Sequence, residues 1–216
     1  MSTLPDPFYL ILGLALIALI PFFAVMATSF VKIAVVIGLL RNALGIQQIP
    51  PNMAIYGLSI ILTAYIMAPV GIATYEEFID KPVSLENTEE LKAILDTASK
   101  PYKDFLIHHG SEDEQEFFLE TALEIWPEEI AKNLDEHSFF VLIPAFTASE
   151  LTSAFEVGFL IYLPFLAIDL IISNILLAMG MMMVSPMTIS LPFKLLLFVL
   201  MDGWTRLIHG LVLAYQ

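Results

Sequence analysis

Phe155–Pro192 reads F-E-V-G-F-L-I-Y-L-P-F-L-A-I-D-L-I-I-S-N-I-L-L-A-M-G-M-M-M-V-S-P-M-T-I-S-L-P. It is a long apolar stretch with one acid, Asp169, in its middle, and the pattern predicts a helix of bilayer length, for which about 20 apolar residues suffice. A carboxylate at that depth costs several kcal/mol unless protein or water meets it. The stretch ends in Met179, Met181, Met182 and Met183 around Gly180, just before Pro186. Thioether side chains are flexible and polarizable, so such a cluster can close a gap and re-form after something passes. Methionines at helix ends also serve as plain core filler, and that reading stays open here.

Outward from this stretch the chain divides into two materials. Of 216 residues, 58% are hydrophobic and 15% charged, against about 45–50% and 25% in ordinary soluble domains. The net charge of −14 is concentrated. Residues 76–156 hold 20 acids against 5 lysines, and the remainder is nearly neutral. An acidic middle argues against nucleic acid and anionic lipid as partners of that segment. With no cysteine there are no disulfides and no thiolate metal sites.

Phe8–Val31 is uncharged and long enough to span a membrane once, with a kink expected at Pro21. A cleaved signal peptide is the competing reading, disfavoured by Asp6 and by the lack of Lys or Arg in Met1–Pro7. Lys32–Pro51 carries Lys32 and Arg41 and no acids, and ends at Gly45 and Pro50–Pro51. It is either a basic cytoplasmic connector or a continuing helix that holds both cations against partner carboxylates. Asn52–Tyr75 is a second apolar run with Pro69 near its end. The positive-inside rule, applied to Lys32, Arg41 and Lys194, places these connectors in the cytoplasm and residues 76–156 outside.

Within the acidic segment, Leu91, Ile94, Leu95, Ala98, Tyr102, Phe105 and Leu106 fall at helical spacing after a cap at Asn87 or Thr88, with a break expected at Pro101. Ser111 with Glu114, and Thr147 with Glu150, have capping-box spacing. Phe139–Ile143 fits strand or helix. The acids at Glu112–Glu116 read as a solvated face, since no calcium-loop pattern accompanies them. The last apolar segment, Phe193–Tyr215, contains Lys194, Asp202, Arg206 and His209. Asp202 and Arg206 are four apart and can pair on one helix face. Gly203 and Gly210 offer a smooth face for helix packing. Lys194 and Arg206 are candidate partners for Asp169. A helix with four ionisable groups must pack in protein or line water.

Enzyme chemistry finds no footing. His108, His109 and His137 lack metal-ligand spacing, and no P-loop, dinucleotide or nucleophile-elbow motif occurs. No metal or cofactor is expected. A secondary transporter using Asp169 with Asn174 as an intramembrane site remains open, although the apolar pairs show no internal repeat. A channel-forming oligomer with the methionine turn at its throat is the other reading.

Four strings together resemble one family. They are S-F-V-K-I-A-V-V-I-G-L-L-R-N-A-L-G-I-Q-Q-I-P-P-N (Ser29–Asn52), P-A-F-T-A-S-E-L-T-S-A-F-E-V-G-F (Pro144–Phe159), P-F-L-A-I-D-L-I-I-S-N-I-L-L-A-M-G-M-M-M-V-S-P (Pro164–Pro186) and L-P-F-K-L-L-L-F-V-L-M-D-G-W (Leu191–Trp204). In this order they look like the FliP/SctR family of the type III secretion export apparatus, closest to its YscR-like injectisome branch. The resemblance covers about half the chain and is weak over residues 76–143.

It implies an all-α, non-enzymatic inner-membrane subunit of a Gram-negative bacterium. Its long hydrophobic helices would form two hairpins, residues 1–75 and 157–216, around an acidic helical periplasmic insertion, residues 76–156. Several copies, a pentamer in the family, would join Q-type and R- or T-type subunits in a ring or cone that passes unfolded proteins to the periplasm. The family's four membrane helices can sit partly at periplasmic level after assembly. By the same resemblance Met181, Met182 and Met183, with Met179 in the same string, match a pore gasket. Glu150 and Lys194 match charged positions tied to subunit contacts. Lys32 and Arg41 lie in the first motif without an assigned role.

Overall fold

The computed structural model describes residues 25–46, 48–79, 88–132 and 134–216, with isolated positions between 11 and 22; the side chains at 77, 78 and 88–95 fall outside that description. The expectations for most of Phe8–Val31, the Pro21 kink, the cap at Asn87 and the side chains of Leu91, Ile94 and Leu95 therefore lie outside the described residues.

The architecture is all-helical among the described residues. The order is α1 (Phe30–Ala43), α2 (Asn52–Ile79), α3 (Thr88–His109), α4 (Glu112–Ile125), α5 (Glu128–Ala131), α6 (Phe139–Ala178), α7 (Pro186–Leu200) and α8 (Gly203–Leu213). Helix α6 is the axis. Its 40 residues span about 60 Å at 1.5 Å per residue, and α1, α3, α4 and α7 all pack on it. It runs unbroken through Pro144 and Pro164, so the apolar helix begins well before Phe155. Phe139–Ile143 is its first turn, and residue 156 lies in mid-helix. The capping box expected at Thr147 and Glu150 is absent: the N-cap is Ser138, and Thr147 donates its hydroxyl to Ile143 O within the helix. Ser111 does occupy an N-cap, but its side chain makes no cap bond; its N–H donates to Ser149 Oγ on α6 instead. Pro101 likewise fails to break α3. The ring removes one backbone donor, and the helix flanking it is held in place by Tyr102, which donates to Ala27 O, and by Phe105 and Leu106 in the core.

Three clusters form the interior. Ile33, Val36 and Ile37 of α1 meet Ile55 and Leu62 of α2, Ala154 of α6 and Leu211 of α8. Further along α1, Leu40, Ala43 and Leu44 meet Phe165 of α6. Phe105 and Leu106 of α3 meet Leu142 and Phe146 near the start of α6. The α1 positions recur at three- and four-residue intervals, which puts one face of the helix into the core. Helix α1 ends where Gly45 adopts φ 77°, the left-handed conformation that glycine takes without strain.

Close approach of α1 to α6 depends on Gly158, where a Cβ would come within 2.2 Å of Leu39 Cδ1 and 3.2 Å of Leu39 Cβ. Gly203 plays the same part for the Phe198 ring. At Gly210 nothing lies within 4 Å, so only one of the two expected glycine contacts exists within the protomer.

Helices α2, over Asn52–Glu76, and α6 are each long and apolar enough to cross a membrane, and α7 with α8 forms a third candidate bent by 61°. Their outer faces are apolar and uncovered: Tyr65, Phe155, Phe159, Leu160, Val199 and Leu200 are all exposed. Soluble monomers rarely leave patches of this extent bare, so lipid or other protein covers them.

Replacing Gly158 by Val should force α1 away from α6 and lower stability by about 1–3 kcal/mol. Adding Leu39→Ala should return most of that loss, as read by thermal unfolding in detergent. If Gly158→Val matches the parent protein, the close packing described here is wrong.

Candidate functional site

One buried ion pair, one half-buried ion pair and one exposed turn stand out, all carried by α6. The upper pair is Lys32 with Glu150, 2.7 Å apart, with side chains 8% and 1% exposed. Glu150 also accepts the Tyr215 hydroxyl, and the Lys32 ammonium lies 4.6 Å from the Tyr215 ring centre. The carboxylate thus joins α1, α6 and the end of the chain. His109 packs on Tyr215 and Phe105. Burial, then His108, then Lys32 push the His109 imidazole down to about 4. The Tyr215 phenol is pushed up, first by burial and then by the Glu150 charge, so it remains a proton donor to that carboxylate. Burial also raises Tyr102 to about 12.

The lower pair is Lys194 with Asp169 at 2.6 Å. Ser190 donates its hydroxyl to the other Asp169 oxygen at 2.6 Å, and Lys194 also donates to Ala43 O at 3.0 Å. The second bond caps an orphan carbonyl at the C-terminal end of α1, where a cation is favoured. Of the two candidates for Asp169, the structure brings Lys194 and leaves Arg206 elsewhere. Each Asp169 oxygen thus accepts one bond from within the chain.

Several sequence expectations are corrected here. Asp202 and Arg206 do not share a helix face: the chain breaks at Asp202, which takes φ 51° ahead of α8, and no ion pair joins them among the described residues. Lys194 is not in a connector but buried at 2% exposure within α7. Lys32 is buried beside the acidic segment's end of α6, so two of the three cations used for the topology count are internal structural groups. Within the protomer Glu150 pairs with Lys32 and Lys194 with Asp169. Arg41 meets no carboxylate among the described residues; it donates to Asn52 Oδ1 at 2.6 Å and to Pro50 O, tying α1 to the start of α2. Sequence reasoning missed Ser190 and Tyr215. Ser190 was findable, since it stands four residues before Lys194 and shares its helix face. Tyr215 was not, because nothing local links position 215 to position 150.

The turn between α6 and α7 carries the methionines. Gly180 takes φ 73°. Its N–H bonds Leu177 O and that of Met181 bonds Leu176 O, the paired bonds that close a helix on a left-handed glycine. Pro186 then starts α7 at a position where its missing N–H costs nothing. Met179 and Met181 are about half exposed, Met182 is 82% exposed and Met183 fully so. None is core filler within the protomer. Asp169 lies ten residues before Met179, about 15 Å along the helix, so the lower ion pair clips the hairpin whose tip they form.

A helical protein with membrane-length apolar helices, internal ion pairs and an uncovered methionine tip is the class that fold and site define. The FliP family model matches residues 13–211. The chain is 62% identical over 215 residues to Yop proteins translocation protein R of Yersinia pestis, covering 100% of this chain and 99% of the relative. It is 51% identical over 216 residues to virulence protein YscR of Salmonella typhimurium, covering 99% and 100%. It is 47% identical over 203 residues to hypersensitivity response secretion protein HrcR of Ralstonia nicotianae, covering 93% of each. The chain belongs to the FliP family.

Glu150→Ala should cost about 3–5 kcal/mol by stranding the Lys32 ammonium in apolar surroundings. Lys32→Met with Glu150→Leu should cost less than either single change, as measured by unfolding in detergent. A second expectation concerns pH. The unfolded chain binds a proton at His109 near pH 6.5 and the folded chain only near 4, so stability should fall as pH drops through that window. His109→Phe should flatten that part of the profile, and an unchanged slope would count against the packing around Tyr215.

Proposed function

We propose that this chain is the pore-forming core subunit of a type III secretion export gate. Several copies, five by analogy with the family, assemble with Q-type and R- or T-type subunits in the inner membrane. Unfolded proteins pass through the assembly from cytoplasm to periplasm, and residues 76–156 face the periplasm. The names borne by the relatives, translocation and secretion proteins, support the export role.

The observation that carries the gate is the exposed methionine tip. Met182 and Met183 project almost wholly uncovered from a glycine-closed turn, with Met181 half exposed beside them. Converging copies would bring these thioethers to one axis, with Met179 behind them. A ring of flexible, apolar, polarizable chains blocks hydrated ions yet deforms around side chains of varied size. The clip at Asp169, Ser190 and Lys194 holds each tip at a set height, so the seal closes the same way from every copy. Glu150 and Lys194 act in assembly indirectly, by fixing α1, α6 and α7 into the surface that a neighbour meets. The transporter alternative is less well supported, because Asp169 already pairs with Lys194 and Ser190.

Replacing Met181, Met182 and Met183 together by Ala should leave the complex assembled and make it leak small ions. Conductance of the purified complex in planar bilayers reads this directly. Parental conductance in an intact, full-size complex would remove the gasket.

A further inference from the structure

Helix α6 carries a third acid that neither ion pair uses. Glu156 is exposed, as are Phe155 and Phe159 near it on the helix, at 59% and 63%. It has no ion-pair partner among the described residues. Arg206 is in the same position on α8: exposed, on an apolar helix, and without a partner carboxylate among the described residues. A lone carboxylate or guanidinium facing lipid is costly, so each of these faces meets protein or water in the assembled state. Asp202, which has no ion-pair partner among the described residues either, sits at the N-terminus of α8, where the helix end favours negative charge. Glu156 lies in mid-helix and has no such relief.

Arg206 also lines a groove of about 440 Å³ between α6 and the α7–α8 pair, walled by apolar groups including Val157, Ile161, Phe198 and Leu207. The bare face of Gly210 lies in the same groove. It is large enough to receive two aromatic side chains.

We propose that Glu156 of one copy pairs with Arg206 of the next, with Phe155 and Phe159 of the first copy entering the groove of the second. The inference rests on the oligomeric reading above and names the contact that reading requires. The two charges compensate each other, and the rings cover apolar surface that no part of the protomer covers. Because the Glu156 surface and the Arg206 groove are different patches, the contact is head-to-tail and can repeat around a closed ring.

The chain has no native cysteine, so E156C and R206C in one chain give a clean probe. A short bis-maleimide applied to the export complex in membranes should produce a ladder of dimers, trimers and higher species, absent from either single variant. A full-size complex with no ladder overturns the pairing and leaves the oligomeric reading intact. A ladder that stops at dimers overturns the head-to-tail arrangement. Ready labelling of E156C by a membrane-impermeant thiol reagent without a ladder places Glu156 on a water-filled passage and also overturns it. A single-copy particle sinks the oligomeric reading itself. Independently, E156R should lower the yield of full-size complex about tenfold, as loss of a close interfacial charge pair does. Protomer unfolding should be unchanged, and R206E in the same chain should restore most of the yield. Failure of the swap to restore assembly refutes the pair.

Discussion

A carboxylate removed from water must keep its charge balanced, and in this protein that requirement holds α1 against α6. Glu150 is almost wholly buried, and it answers the cost with Lys32 on one side and the Tyr215 hydroxyl on the other. Removing any one member leaves a charge or a donor without company, which is far costlier than never having buried the pair. The interaction therefore specifies geometry more than it adds net stability. Helix α1 cannot slide along α6, and the end of the chain cannot leave, without breaking it.

Asp169 and Lys194 apply the same rule nearer the methionine turn. Their pair is completed by Ser190 and by the terminal carbonyl of α1, so α1 is pinned to α6 and α7 at both ends. What lies beyond the lower pair is a short turn closed by its own backbone bonds and bearing thioethers in the open. Rigidity below and softness at the tip are complementary properties. A seal must be positioned by something stiff and made of something that yields.

The protomer is incomplete as a folded object. Its internal ion pairs are completed by groups of the same chain, while its outer faces on α2, α6, α7 and α8 are apolar and bare. Two of the charges on those faces, Glu156 and Arg206, have no ion-pair partner among the described residues. This distribution follows from a chain whose surface is mostly meant for contact, with hydrophilic surface concentrated in the acidic segment.

Much of this was readable from residue order. Helical class follows from apolar periodicity, the α6–α7 turn from Gly180 and Pro186, and the site residues from their being charges in apolar runs, which are costly wherever they fall. Local signals misled where tertiary packing outweighed them. Pro101 sits inside α3 because the turns beside it are buried and bonded firmly enough to absorb one missing donor. Thr147 and Glu150 have cap spacing yet lie in mid-helix, their side chains recruited by the helix carbonyl at Ile143 and by Lys32. By itself the sequence determined that charges such as Glu150, Asp169, Lys32 and Lys194 must find partners, since that follows from the energy of burying any of them. Which partner each one found depended on three-dimensional proximity across as many as 151 positions of chain, and only the packed helices decided that.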